Sequence, residues 1–211
     1  DMLAERAYAP WPDMAAAMRG HSLPLYSLES RRPLADFDLI GFSLGYELNF
    51  TTVLEMLDLA GLPLRSADRD DTMPLVIAGG SACYNPEPMA DFVDLMVIGD
   101  GEEALLELLE LFRDLGRSED ARPGSRAHRE RFLRAAAAFP GVYVPELYRP
   151  RYDDCGVYLG LEALVPEAPS RVVARVVRPL PPPPTRPVVP YLPTVHDRAM
   201  VEVRRGCGQG C

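Results

Sequence analysis

The residues best suited to chemistry in this 211-residue chain are Cys207 and Cys211, which close the stretch Val203-Arg-Arg-Gly-Cys-Gly-Gln-Gly-Cys211. Thiolates on a loop bind a soft metal or an iron–sulfur cluster, and glycines between them let the backbone fold around it. Two thiolates leave a tetrahedral or cluster site unfilled, so the spacing alone reads equally as half of a zinc knuckle or a redox pair. Cys83, in Gly79-Gly-Ser-Ala-Cys, is a candidate loop nucleophile. With no histidine or general base paired to it in sequence, it is assigned to packing. Cys155, beside the turn-like Asp153-Asp154, reads as a semi-buried thiol. His21, His128 and His196 lack any ligand spacing and read as surface or structural residues.

The elements that must position such groups follow from periodicity. Phe37 to Ser43, Leu75 to Ala78 and Leu95 to Ile98 are apolar runs of strand length. Asn49 is placed to cap a helix whose Phe50, Val53, Leu54 and Leu57 share one face, with Gly61 at its end and Pro63 preventing continuation. Asp100 and Glu103 have capping-box spacing, ahead of a helix with Leu105, Leu108, Leu109, Phe112 and Leu115 on its apolar face. Asp13 similarly caps a brief helix from Met14 to Met18, next to a lone Trp11 that reads as surface packing or a stacking platform. This alternation predicts a parallel sheet covered on both faces. Ligands in such sheets bind beyond the carboxyl ends of the strands. The loops at Ser43 to Asn49, Gly79 to Asn85 and Gly99 to Glu103 share that edge. Glycine makes a tight turn at any one of them without a ligand, but three on one edge favour a site.

Charge is unevenly spread. Through Phe112 there are 6 arginines against 20 acidic residues, or −14; the rest has 16 against 11, or +5. An acidic first half is poorly suited to a phosphate backbone, whereas the basic second half suits RNA, an anionic cofactor or the acidic half itself. All 22 basic residues are arginine. An apolar fraction of 47% with 25% charge fits a globular protein with a real core. With no signal peptide and no apolar run long enough for a bilayer, the chain reads as a cytoplasmic fragment of a longer protein, not as a membrane protein. Four cysteines in this length do not make a secreted disulfide framework.

The character changes after Gly116. Arg117 to Arg126 reads as a loop, Arg129 to Phe139 as a helix ended by Pro140-Gly141, and Val142 to Val177 as two or three antiparallel strands. Pro181 to Pro184, with Pro187, Pro190 and Pro193, form neither helix nor central strand and favour extended polyproline geometry. The expected organisation is an α/β domain over 1–116, an α+β extension over 117–178, a proline-rich linker over 179–195 and the start of a further domain over 196–211.

Several of these segments together carry a resemblance. A strand followed by Arg205-Gly-Cys-Gly-Gln-Gly-Cys211 resembles the start of a radical S-adenosylmethionine barrel, in which a third cysteine completes a Cys-x-x-x-Cys-x-x-Cys motif. Gly41-Phe-Ser-Leu44, Ile77-Ala-Gly-Gly80 and Val93-Asp-Leu-Met-Val-Ile-Gly-Asp-Gly-Glu-Glu103 resemble the Rossmann-like, cobalamin-binding (B12-binding) domain that precedes many such barrels. Phe37 to Ser43, Asn85-Pro-Glu-Pro88 and His196-Asp-Arg198 are similar to one subfamily of these proteins.

The resemblance implies that Cys207 and Cys211 are two of three thiolate ligands of a [4Fe–4S] cluster. The cluster chelates S-adenosylmethionine and cleaves it to a 5′-deoxyadenosyl radical. It implies cobalamin contacts from Ser43, Leu44, Gly45, Gly79, Gly80, Ser81, Gly99, Asp100, Gly101 and Glu102, and methyl or methylthio transfer by the parent enzyme. The fragment alone is expected to be inactive, with the remainder of the barrel as its partner. The Asp-x-His-x-x-Gly loop of many cobalamin domains does not occur in this sequence. Two other roles therefore stay open: a degenerate shell that docks substrate or RNA, or a nucleotide- or flavin-type binding module.

Overall fold

The computed structural model describes residues 2–70, 72–116 and 126–182, with Glu202, Arg205 and Gly206. The expected linker beyond residue 182, His196 to Arg198, Met200, Val201 and Val203 of the expected strand before the cysteines, Cys207 and Cys211 all lie outside the described residues. So does most of the loop after Gly116.

Four strands form one sheet in the order β1-β2-β3-β4. β1 (Leu39–Ser43), β2 (Leu75–Gly79) and β3 (Leu95–Val97) run parallel, in the register Ile40 opposite Val76 and Ala78 opposite Met96. β4 (Val142–Tyr143) is antiparallel to β3, so the sheet is mixed where a parallel one was expected. The reason lies in the turn Pro140-Gly141, which returns the chain beside β3 directly after a helix. Two helices, Glu102–Gly116 and Arg126–Ala137, lie between β3 and β4 in place of the single crossover helix that joins parallel neighbours. Among the described residues the fold is α/β, with four α-helices around this sheet.

Strand alternation divides the core in two. Val76, Ala78, Met96 and Ile98 face one cluster with Ala15 and Met18 of α1 (Pro12–Gly20) and Val53, Met56 and Leu57 of α2 (Asn49–Leu59). Leu75, Ile77, Leu95 and Val97 face the other, with Ala104 and Leu108 of α3 (Glu102–Gly116) and Phe132, Leu133 and Ala136 of α4 (Arg126–Ala137). Burying each large side chain of these layers contributes about 1.5–3 kcal/mol before conformational entropy is counted.

Several local expectations change. α1 begins at Pro12, because proline fits the first turn of a helix, and Asp13 accepts instead from the neighbouring Met14 amide. Asn49 is the first residue of α2, not its cap, and the helix start carries no side-chain capping bond. α3 buries the face of Ala104, Leu108, Leu111, Phe112 and Leu115, while Leu105 is exposed. Trp11 stands 81% exposed, which excludes the packing role. β2 reaches β3 without an α-helix, through 3-10 turns at Ser81–Tyr84 and Glu87–Met89. As expected for Val142 to Val177, β5 (Tyr148–Tyr152) and β6 (Tyr158–Ala163) pair antiparallel, in a hairpin separate from the main sheet. Its tip carries Cys155, which is exposed, not semi-buried.

By contacts the chain divides into Asp1–Val176 and Val177–Cys211. In the first unit, β4 and α4 join residues of the expected extension to the sheet and core of the α/β part. In the second, Arg205 donates to Glu202 at 2.7 Å and Gly206 has φ +81°.

Candidate functional site

The carboxyl ends of β1, β2 and β3 bring the three expected loops to one edge. Leu44 donates its amide to the Gly79 carbonyl at 2.7 Å, extending the β1–β2 pairing by one residue. Ala82 in turn donates to Leu44 O at 3.0 Å, and the Ser81 hydroxyl donates to Gly45 O at 2.5 Å. The loops after β1 and β2 are thus tied to each other through Leu44, Gly45, Ser81 and Ala82.

Gly80 is required at this junction. Its φ is +119°, and a Cβ there would press on the backbone of Leu44. Gly99 is required in the same way after β3, with φ +101° and its Cβ position filled by the backbone of Arg175. Both glycines are therefore explained by a close approach of the chain to itself. Gly45 and Gly101 have nothing within 4 Å of the equivalent position, and Gly79 makes only ordinary contact with Val97. Ser43 and Glu102 are exposed, while Asp100 is half-buried on the same edge.

β1 is an edge strand, and a cavity of about 430 Å³ lies against it. The cavity is an open cleft bordered by β1 from Leu39 to Leu44, by Glu5, Ala7, Tyr8 and Ala9 near the N-terminus, and by α2. Its polar lining is Glu5, Ser27, Ser43, Asn49 and Thr52. Ser43 and Leu44 are the two expected site residues that border it. The N-terminal residues carried no motif, so nothing in the sequence pointed to their part in the lining. Glu5 is held below its usual carboxylate range by hydrogen bonds from Ser27 and Ser30.

At the opposite, amino end of the strands lies a buried charge cluster. Asp94 accepts from the Val76 amide at 2.6 Å and is flanked by Arg69 and Arg129. Burial lowers the Arg69 pKa, and Asp94 opposes that shift. Arg69 also donates to the carbonyls of Pro63, Leu64 and Phe92, which pins the chain entering β3. The arrangement is structural: three hydrogen-bonded charges hold one end of the sheet while the loops occupy the other.

Two further groups are inert for chemistry. Cys83 is 1% exposed, and burial pushes its thiol up to about 11, in keeping with the packing role. Tyr143 donates to Glu87 of the Asn85-Pro-Glu-Pro88 segment at 2.7 Å, and burial followed by that carboxylate raises its pKa. His21 is exposed and His128 is buried on α4, its ring edge-on to Phe112 at 4.9 Å. Among the described residues, no three His, Cys, Asp or Glu side chains gather to hold a metal, and no helix is long and apolar enough to cross a membrane.

A family model, radical SAM proteins, N-terminal, matches residues 1–145. Searches of curated proteins and of solved structures returned no match.

Proposed function

The chain belongs to the N-terminal family of radical SAM proteins, and we propose on that footing that it is the leading part of a [4Fe–4S]-dependent radical S-adenosylmethionine enzyme. The match over residues 1–145 carries the reading, because it covers the α/β sheet and its three loops. Cys207 and Cys211 would supply two of the three thiolates that hold such a cluster while leaving one iron for S-adenosylmethionine. When bound, the cluster supplies the electron that cleaves that cosubstrate.

The Rossmann-like domain serves in this reading as a degenerate cobalamin-type shell that docks substrate or RNA. Close approach of the chain at Gly80 and Gly99 supports this, since at those two positions the backbones of Leu44 and Arg175 take the space a corrin or its nucleotide tail would need. Titration of the full-length protein with hydroxocobalamin tests it. The expected result is no change in the corrin spectrum. A saturable shift would overturn the shell and favour cobalamin-dependent methyl or methylthio transfer.

A further inference from the structure

We infer that residues 172–176 form a strap across the carboxyl end of β3, latched by Arg175, and that Gly99-Asp-Gly-Glu-Glu103 with Glu107 is its seat. The inference rests on backbone pairing and ion pairs inside the first unit, independently of any cofactor.

The strap is bound at three levels. Its backbone pairs in parallel with the residues after β3: Arg175 N donates to Ile98 O at 2.9 Å, and Asp100 N donates to Arg175 O at 2.9 Å. Its side chains alternate, with Val172 and Ala174 against the core and Val173 and Val176 exposed, as in a strand half covered by protein. The Arg175 guanidinium then reaches α3. It donates to both carboxylate oxygens of Glu107 at 2.6 and 2.7 Å and to Glu103 at 2.8 Å, the forked geometry that makes arginine–carboxylate pairs strong.

The seat is shaped for this occupant. Gly99 has φ +101°, and a Cβ there would strike the Arg175 backbone; a Cβ on Gly141, with φ +81°, would come within 2.9 Å of Ile98 O and Arg175 Cβ. Two glycines from separate turns therefore clear the path of one residue. Glu103, which the sequence places in a capping box, is turned to Arg175. The Gly-Asp-Gly-Glu-Glu segment thus has a task of its own, in which the glycine admits the strap and the second glutamate fastens it. Any ligand reaching the end of β3 beside Gly99 must displace the strap first.

Hydrogen exchange followed by mass spectrometry on the 211-residue chain tests the latch. In Arg175→Ala, amides of 172–176 and Asp100 are expected to exchange roughly 10-fold faster, while those of 75–79 and 95–97 are unchanged. Glu107→Gln, which keeps Glu103 and alters only a partly exposed side chain, gives a smaller acceleration confined to the same amides, and reads the latch even if Arg175→Ala does not fold. Arg175→Glu is expected to free the strap, and adding Glu107→Arg to restore part of its protection. A strap that keeps its protection in both Arg175→Ala and Glu107→Gln overturns the inference. Equal loss of protection in strap and sheet in Glu107→Gln also overturns it, because Arg175 would then serve general stability.

Discussion

Arg69 Nη2 lies 3.4 Å from both carboxylate oxygens of Asp94, and the two side chains are almost wholly buried, at 0% and 2% exposure. Arg129 reaches the same carboxylate from α4, and the Val76 amide donates to it from β2. One acidic residue thereby joins β2, the entry to β3 and a helix on the far face. Removing it leaves arginines inside the protein without their counter-charge. Asp94→Ala is expected to lower unfolding free energy by about 3–5 kcal/mol, as for other broken buried pairs. Asp94→Asn should lose less, because it can still accept from Val76. Urea denaturation of both variants checks the order; equal stability of Asp94→Ala and the parent would refute it.

The glycines of the loop edge separate into two kinds. Gly80→Ala forces an L-residue to φ +119° against the Leu44 backbone and is expected to cost at least about 2 kcal/mol. Gly45→Ala meets nothing within 4 Å and should stay within about 0.5 kcal/mol. Thermal unfolding of the two variants decides between them. A Gly80→Ala protein as stable as its parent would return that glycine to a ligand-facing role.

Thiol reactivity should follow burial. At pH 8, iodoacetamide is expected to alkylate the exposed Cys155 and spare Cys83, whose thiol stands at about 11 behind the core. Peptide mapping by mass spectrometry reads each site separately. Rapid labelling of Cys83 in the folded chain would contradict its packing role.

The strap should respond to acid. The hydrogen bonds from Arg175 hold Glu107 below its usual 4.5, so its folded form binds a proton less readily than its unfolded form. That stabilisation is fully present above about 4.5 and is lost as pH falls through the lower folded value. Exchange at 172–176, corrected for the intrinsic pH effect, should therefore accelerate between pH 5 and pH 3 relative to the strands. The acceleration should shrink in Glu107→Gln. A strap equally protected at both ends of that range would contradict the latch.

Sequence periodicity located all three parallel strands and both helices that follow β1 and β3, because apolar runs and amphipathic spacing there reflect the two buried faces. It placed two or three antiparallel strands in Val142 to Val177, where β4, β5 and β6 lie, but not the pairing of β4 with β3, because two residues, Val142 and Tyr143, carry no period that would assign them to a sheet. The loop edge was legible from its glycines, but their reason was not. Gly80 and Gly99 look alike whether they face a ligand or a distant part of the same chain, and only the structure puts Leu44 and Arg175 beside them. Glu103 shows the same limit: its spacing from Asp100 matches a capping box, yet an arginine 72 positions away claims it. Glu5 and Tyr8 beside the β1 cavity carried no local signal at all. The clearest chemical motif, Cys207 and Cys211, lies outside the described residues and beyond the family match, which covers residues 1–145.

The central claim is that this chain leads a radical S-adenosylmethionine enzyme, and iron content with cofactor cleavage tests it most directly. The full-length protein, reconstituted anaerobically with iron and sulfide, is expected to bind about four irons per chain and, once reduced, to release 5′-deoxyadenosine from S-adenosylmethionine. Replacing Cys207 and Cys211 with alanine should abolish both. Full retention of iron and cleavage in that double variant, or neither property in the reconstituted parent, would contradict the assignment.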